Sequence, residues 1–318
     1  MTMDVSVIVC AYSEERWDDL VSAVTSLEGQ RKQPREIIVV IDHNESLFKR
    51  AKAQFEKAIV VENQNAVGLS GARNTGVSVA KSSIIAFIDD DAIAAPDWLE
   101  NLCAGYADAN VIGVGGAIEP MWPSDRPAWF PEEFYWVVGC VYRGMPQTPS
   151  AIRNMIGANM SFRREVFERV GNFRLGKVGT RSRPEETELC IRTRQQWPTG
   201  LFLYQPHAKV RHRVSANRIN LKYFLTRCYD EGMGKASMVH FVGQEDGLSS
   251  EKAYTLGILP KGVARGFADA IFRGNAAGLA RAFLILTGLI VTTLGYFAGT
   301  LMLFARRNEI TDDQMNPI

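Results

Sequence analysis

The first 118 residues alternate between short apolar runs and amphipathic stretches, and this alternation restricts the fold more than any other feature of the chain. "DVSVIVCAY", "REIIVVID", "IVVEN", "SIIAFIDDD" and "NVIGVGGAIEP" each read as a strand. Between them lie "EERWDDLVSAVTSL", "SLFKRAKAQFEKA", "GLSGARNTGVSVAKS" and "APDWLENLCAGYAD". In the first of these, Trp17, Leu20, Val21, Val24 and Leu27 recur at helical spacing. Strands of near-continuous Val and Ile cannot have one wet face. Alternating with helices, they predict a parallel sheet covered on both sides. Ligands of such sheets bind beyond the carboxyl ends of the strands, at a switch point in strand order.

Two strands carry acids to that edge. Asp42 ends the second, and Asp89, Asp90 and Asp91 end the fourth. Three adjacent carboxylates repel one another, so a solvated turn is their simplest explanation. A divalent cation that also holds a phosphate is the alternative, with Mg²⁺ or Mn²⁺ suited to carboxylate oxygens and Mn²⁺ also to histidine.

Residues 119–150 break the alternation. They hold six of the thirteen prolines and three of the six tryptophans. Such a stretch reads as an ordered aromatic loop, because disordered segments are poor in aromatics. Beyond it, "GANMSFRREVFERVG" opens a helix and "PEETELCIRTRQQ" another, with glutamates where the helix dipole favours them. "GLFLYQPHAKVRHRV" predicts two short strands, and "KYFLTRCYDEGMGKASM" a helix.

The formal net charge of +1 lacks the basic excess of a nucleic-acid binder. Five scattered cysteines, none spaced CxxC, fit neither a disulfide framework nor a zinc site, and favour a reducing compartment. The N-terminus has no basic region before its short apolar run, so it reads as a first strand and not a signal peptide. From Ala282 to Ala305 the chain carries no charge for 24 residues. A helix of that length spans ~36 Å, enough for a ~30 Å hydrocarbon core.

The segments "VSVIVCAYSEE", "EIIVVIDHN", "NAVGLSGARNTG", "IIAFIDDDAIAAPDWL", "IGANMSFRREVFERVGNF" and "EETELCIR", in that order, resemble glycosyltransferase family 2, the inverting GT-A enzymes. The resemblance covers about residues 4–215. It implies a Rossmann-like GT-A fold and a metal-dependent transfer of one sugar from a nucleotide-sugar, a UDP-sugar favoured, to a hydroxyl. By the same resemblance Asp42 accepts a hydrogen bond from the nucleotide base, a donor N–H to an acceptor-only carboxylate. Arg73 stands near the diphosphate, Asp89 contacts the ribose or sugar, Asp91 coordinates the metal, and His212 adds a further metal contact. Glu186 stands where the family usually has the aspartate that serves as general base. The substitution keeps the chemistry and lengthens the arm by one methylene. The QxxRW of processive members is absent, and "YFLTRCYDEG" stands there instead.

These readings divide the chain into a nucleotide-sugar-binding half (1–118), an acceptor-binding and catalytic half of the same domain (119–240), a linker with an amphipathic segment (241–281), a membrane helix (282–305) and a tail (306–318). The expected partners are the donor, a saccharide or lipid-linked acceptor, and membrane lipids. Lys261, Arg265, Arg273 and Arg281 give the positive flank of a cytosolic side, so the helix is expected to cross once with the catalytic domain in the cytosol. Arg306 and Arg307 weaken that asymmetry and keep an interfacial hairpin open. Trp122, Trp129 and Trp136 are expected either to stack on the acceptor or to pack beneath the loop. Two rival functions fit the residues less well. A nucleotidyltransferase needs a glycine-rich loop after the first strand, and "CAYSEER" is not one; an inactive scaffold would have lost the base or the metal acids, and all are present. Sugar, acceptor and oligomeric state stay open.

Overall fold

A computed structural model describes residues 3–175, 177–178, 181–182, 185–242 and 251–315. Its strands are β1 (Val5–Ala11), β2 (Glu36–Ile41), β3 (Ile59–Glu62), β4 (Ile84–Asp89), β5 (Ala92–Ala94), β6 (Val111–Met121), β7 (Ser150–Ile152), β8 (Asn159–Arg163), β9 (Lys177–Val178), β10 (Arg181–Ser182) and β11 (Leu201–Arg213). Its helices are α1 (Trp17–Glu28), α2 (Glu45–Gln54), α3 (Leu69–Val79), α4 (Trp98–Ala104), α5 (Arg164–Val170), α6 (Glu185–Gln196), α7 (Leu221–Val242), α8 (Leu259–Arg273) and α9 (Ala277–Met315). The linker expected from residue 241 falls partly on 243–250, outside the described residues, as do the last three residues of the expected tail.

Among the described residues the main sheet runs β3-β2-β1-β4-β8-β6-β11-β5, with β7 added on β11. The first four strands are parallel, as their apolar runs require. Strand order reverses between β2 and β4 around β1, which puts the switch point where Cys10 pairs with Asp89. Side chains alternate across the sheet with period two. Val5, Val7 and Val9 pack on one face with Leu20, Val24 and Trp98; Ile8 and Phe87 pack on the other with Phe162, Phe167 and Phe173.

The sheet departs from the sequence expectation at β8. "NMSFR" reads as the start of a helix but forms an antiparallel strand between β4 and β6. Its partners lie far away in sequence, so no local pattern announces it. Asn159, fully buried in β8, explains part of its conformation. Its Nδ2 donates to the carbonyls of Ala117 and Ala208, and its Oδ1 accepts from the Trp98 indole at 2.8 Å. The two short strands expected over 200–214 are one long strand, β11, with an irregularity between Gln205 and Lys209. Within 119–150, β6 continues to Met121 and a 3₁₀ helix forms over Glu132–Val138 after Pro131.

That 3₁₀ helix joins the sheet to the C-terminal helices. Phe134 packs against Phe224 of α7 and Tyr254, and its ring fills the space beside Gly288 of α9. The Trp136 indole donates to the Tyr254 hydroxyl, which in turn donates to the Glu133 carbonyl. Trp122 and Trp129 pack on Phe130 in the same cluster. All three tryptophans pack in this cluster and stay partly exposed. By length and composition, α9 is apolar enough over Ala277–Ala305 to cross a membrane.

Candidate active site

The edge beyond β1, β2 and β4 gathers most of the residues that the sequence singled out. Asp42 follows β2 directly. Its Oδ1 accepts from Asn63 Nδ2 at 2.6 Å and lies 2.8 Å from His43 Nδ1; its Oδ2 accepts from the Gly68 amide at 2.8 Å. Burial opposes the charged carboxylate, but these hydrogen bonds outweigh it and hold Asp42 below the usual range. The pocket wall depends on two glycines. Gly68, at φ 120°, turns the chain into α3 in a conformation that L side chains avoid. At Gly71 a Cβ would stand 1.9 Å from the Ala66 carbonyl oxygen, so the loop folds onto the helix only without one. Gly71→Ala should therefore push that loop outward, destabilise the fold by about 1–3 kcal/mol and loosen the Asp42 pocket. Thermal shifts with nucleoside diphosphates test this; an unchanged shift would remove Gly71 from the pocket's architecture.

Asp89, Asp91 and His212 come together by register. After β4 the chain turns through Asp90 and Asp91 into β5, which lies antiparallel to β11 and pairs Ala92 with His212. The Arg213 amide donates to the Asp91 carbonyl at 2.9 Å and fixes this crossing. One ligand atom from each of Asp89, Asp91 and His212 lies within 4.8 Å of the others. His212 Nε2 is 3.0 Å from Asp91 Oδ1. Burial works against an imidazolium here, but hydrogen bonds to Asp91 and Cys140 push His212 up to about 10. Burial likewise works against the Asp91 carboxylate, yet His212 and Arg16 hold its pKa below the usual value.

The donor set suits a divalent cation. Two carboxylates and an imidazole match Mn²⁺, or Mg²⁺ with the carboxylates leading. Asp91 Oδ1 is buried and meets only the His212 imidazole, 3.0 Å away, and a cation placed between them would ligate both. A metal on His212 would compete with a proton there, so its binding would strengthen as pH rises.

Arg16 is the residue that sequence reasoning missed. Its Nη1 lies 2.9 Å from Asp90 Oδ1 and 3.3 Å from Asp91 Oδ2. It stands in "SEER", directly after β1, and that position at the binding edge was the available signal. Burial and the neighbouring acids push Asp90 up to about 7 despite Arg16. Asp90 thus serves as an internal partner for Arg16, while its neighbours face the cluster.

Arg73 connects this cluster to α6. It is 3% exposed, lies 3.5 Å from both Asp89 Oδ1 and Glu185 Oε1, and donates to the Gly157 carbonyl at 3.2 Å. It therefore holds two acids rather than presenting an open charge. Glu185 is committed to Arg73, which settles how the two glutamates differ. Glu186 is half-buried and makes no ion pair among the described residues. Burial, then the Glu185 charge, push it up to about 7. A carboxyl poised there takes a proton readily near neutral pH. The helix that carries both is anchored by Glu188 and Arg192, whose guanidinium also donates to the carbonyls of Val170 and Asn172.

The sequence profile described as "Glycosyl transferase family 2" matches residues 6–171. A glucosyl-dolichyl phosphate glucuronosyltransferase of Haloferax volcanii is 36% identical over 244 residues, 74% of this chain and 77% of that protein. A pre-mycofactocin glycosyltransferase of Mycobacterium tuberculosis is 27% identical over 197 residues, 59% of this chain and 38% of that protein. A mannosyltransferase from Pyrobaculum calidifontis, solved with GDP-Man and Mn²⁺, superposes with a TM-score of 0.57 at 18% identity, over 92% of this chain and 88% of that one. Its likeness is one of fold.

Proposed function

The chain belongs to glycosyltransferase family 2 and is a glycosyltransferase, and from that premise we propose that it moves one sugar from a nucleotide-sugar to a hydroxyl of a lipid-linked saccharide, with inversion. One observation carries the reading: Arg73 ties the Asp89, Asp91 and His212 cluster to the head of α6, where Glu186 stands. A diphosphate at the cluster then has an acceptor-side base across from it.

Asp42 takes the N–H of the nucleotide base, and uracil is the base first proposed, with thymine and guanine offering comparable donors. Asp89 takes a ribose or sugar hydroxyl. Asp91 and His212, with Asp89 beside them, would hold Mg²⁺ or Mn²⁺, and the bound ion would supply positive charge to the departing diphosphate. Arg73 keeps Asp89 and Glu185 in place. Glu186 removes the acceptor proton, the freed oxygen attacks the anomeric carbon from the face opposite the leaving group, and the nucleoside diphosphate departs. A single attack inverts the configuration.

The Haloferax relative acts, by its name, on a glucosyl-dolichyl phosphate and transfers a glucuronosyl group. That supports a polyprenyl-phosphate glycoside as acceptor and a glucuronosyl donor as the first to try. It also supports attachment to a membrane through α9, with the catalytic body on the cytosolic side where nucleotide-sugars are made. The test offers UDP-, GDP- and TDP-sugars with Mn²⁺ and a dolichyl phosphate glucoside. It reads out nucleoside diphosphate release, product mass and anomeric configuration. Release without a glycolipid product would place the acceptor elsewhere, and a retained configuration would end the single-displacement reading.

A further inference from the structure

The C-terminal helices present an apolar surface that nothing among the described residues covers. On α9, Phe283, Leu286, Ile290, Leu294, Phe297 and Leu301 are all exposed. At 100° per residue they fall within about a quarter of the helix circumference. The surface continues onto α8, where Phe267 meets Phe283 ring to ring and Ile271 and Phe272 are exposed beyond it.

The opposite side of α9 is fastened to the body of the protein. Gly288, Gly295 and Gly299 lie on that side, where a Cβ at Gly295 would come 2.2 Å from the Tyr229 carbonyl oxygen of α7. The approach is mutual, since a Cβ at Gly232 of α7 would come 2.0 Å from the Thr292 carbonyl oxygen. The helix α7 is not apolar. Its Lys235 pairs with Glu231 at 2.8 Å and with Glu251 at 3.0 Å. If α9 stood upright in a bilayer it would draw these charges into hydrocarbon, where each is costly.

Charge completes the surface. Beside the exposed Phe272 lies a cavity of about 460 Å³ lined by Arg143, Arg265, Arg273 and Asp269. Arg126, Arg143, Arg265, Arg273 and Arg281 outnumber the three carboxylates they pair with, Glu132, Glu133 and Asp269. The excess is positive and sits at the rim of the apolar stripe.

We propose that α8 and α9 lie in the plane of an anionic phospholipid leaflet, with the stripe sunk to the acyl boundary and the arginine cavity against lipid phosphates, instead of α9 crossing the membrane. Amphipathic helices with basic rims bind in this way. This refines the membrane attachment proposed above and is independent of the sugar transferred. It also sets the catalytic body at a fixed height. Glu133 on the 3₁₀ helix binds Arg265 of α8, while Gly139 at the end of that helix faces the His212 ring, where a Cβ would come within 3.4 Å. One short helix therefore separates the leaflet from the metal cluster, as a lipid-linked acceptor requires.

The test adds full-length protein to preformed vesicles of phosphatidylcholine with three parts in ten phosphatidylglycerol, and to pure phosphatidylcholine. Flotation should favour the anionic vesicles, carbonate should strip the protein, and an epitope at the C-terminus should stay open to added protease. Ile290→Glu with Leu294→Glu should weaken partition by about a hundredfold, the share of two buried aliphatic side chains. Arg273→Gln should weaken it about fivefold on anionic vesicles only. Circular dichroism checks that the variants are folded. A carbonate-resistant protein with a protected epitope would show a crossing and overturn the proposal. So would wild-type partition of the folded double variant, including the case where it merely turns a soluble dimer into a monomer. Failure to bind either vesicle would overturn it and the attachment reading together, leaving the glycosyltransferase assay untouched.

Discussion

Replacing Asp91 by asparagine should lower turnover by about 10³-fold, the scale expected when the charge that holds a Lewis acid is lost. The substitution is nearly isosteric, so the turn between β4 and β5 and the Arg213 amide contact to its carbonyl remain. What goes is the charge that faces both His212 and Arg16. Chelator should reproduce the loss in the native enzyme, and Mn²⁺ should restore the native enzyme but not the variant. Nucleotide-sugar turnover across a Mn²⁺ titration measures both. If the native protein turns over undiminished in excess chelator, the cluster is structural.

Glu186→Gln should lower kcat by about 10²–10⁴-fold with little change in donor affinity, since general-base catalysis contributes on that scale. The pH profile gives a second readout. A base works only when deprotonated, and burial beside Glu185 pushes Glu186 up to about 7. Native turnover should therefore fall as pH drops through that value, and level off above it. The variant should lose this limb along with its rate. Glu185→Gln should act differently, because Glu185 holds Arg73 rather than facing the half-buried side of α6. A loss confined to Glu185→Gln would shift the base by one residue.

Much of the N-terminal half was legible because its signals are local. The period of the apolar runs marked the strands up to β6, apart from the three-residue β5, and the acids at strand ends marked the sheet edge where they gather. Asp89, Asp91 and His212 come within 4.8 Å of one another, and Arg73 stands between Asp89 and Glu185. What escaped depends on distant partners. Nothing in "NMSFR" shows that β4 and β6 will receive it as an antiparallel strand. A 3₁₀ helix of seven residues leaves no period strong enough to read among prolines and tryptophans. The role of Arg16 required knowing that the turn after β4 comes back beside the turn after β1. The two faces of α9 were invisible for another reason. An unbroken apolar run has no polar side, so only the glycines reveal which side meets protein.

The three-residue strand β5 has a consequence for how the protein assembles. Its pairing with β11 joins Asp91 to His212, which stand more than a third of the chain apart. A contact of that sequence separation closes late, after the loop between has paid its closure entropy. The pocket of Asp42, Asn63 and Gly68 needs only neighbours within the first strands and can form earlier. A cation on Asp91 and His212 would bind only the closed form, and so would stabilise it by mass action, by ~2.7 kcal/mol at a hundred times its Kd. Metal supply would then govern how much of the chain is kept folded as well as how fast the folded chain works.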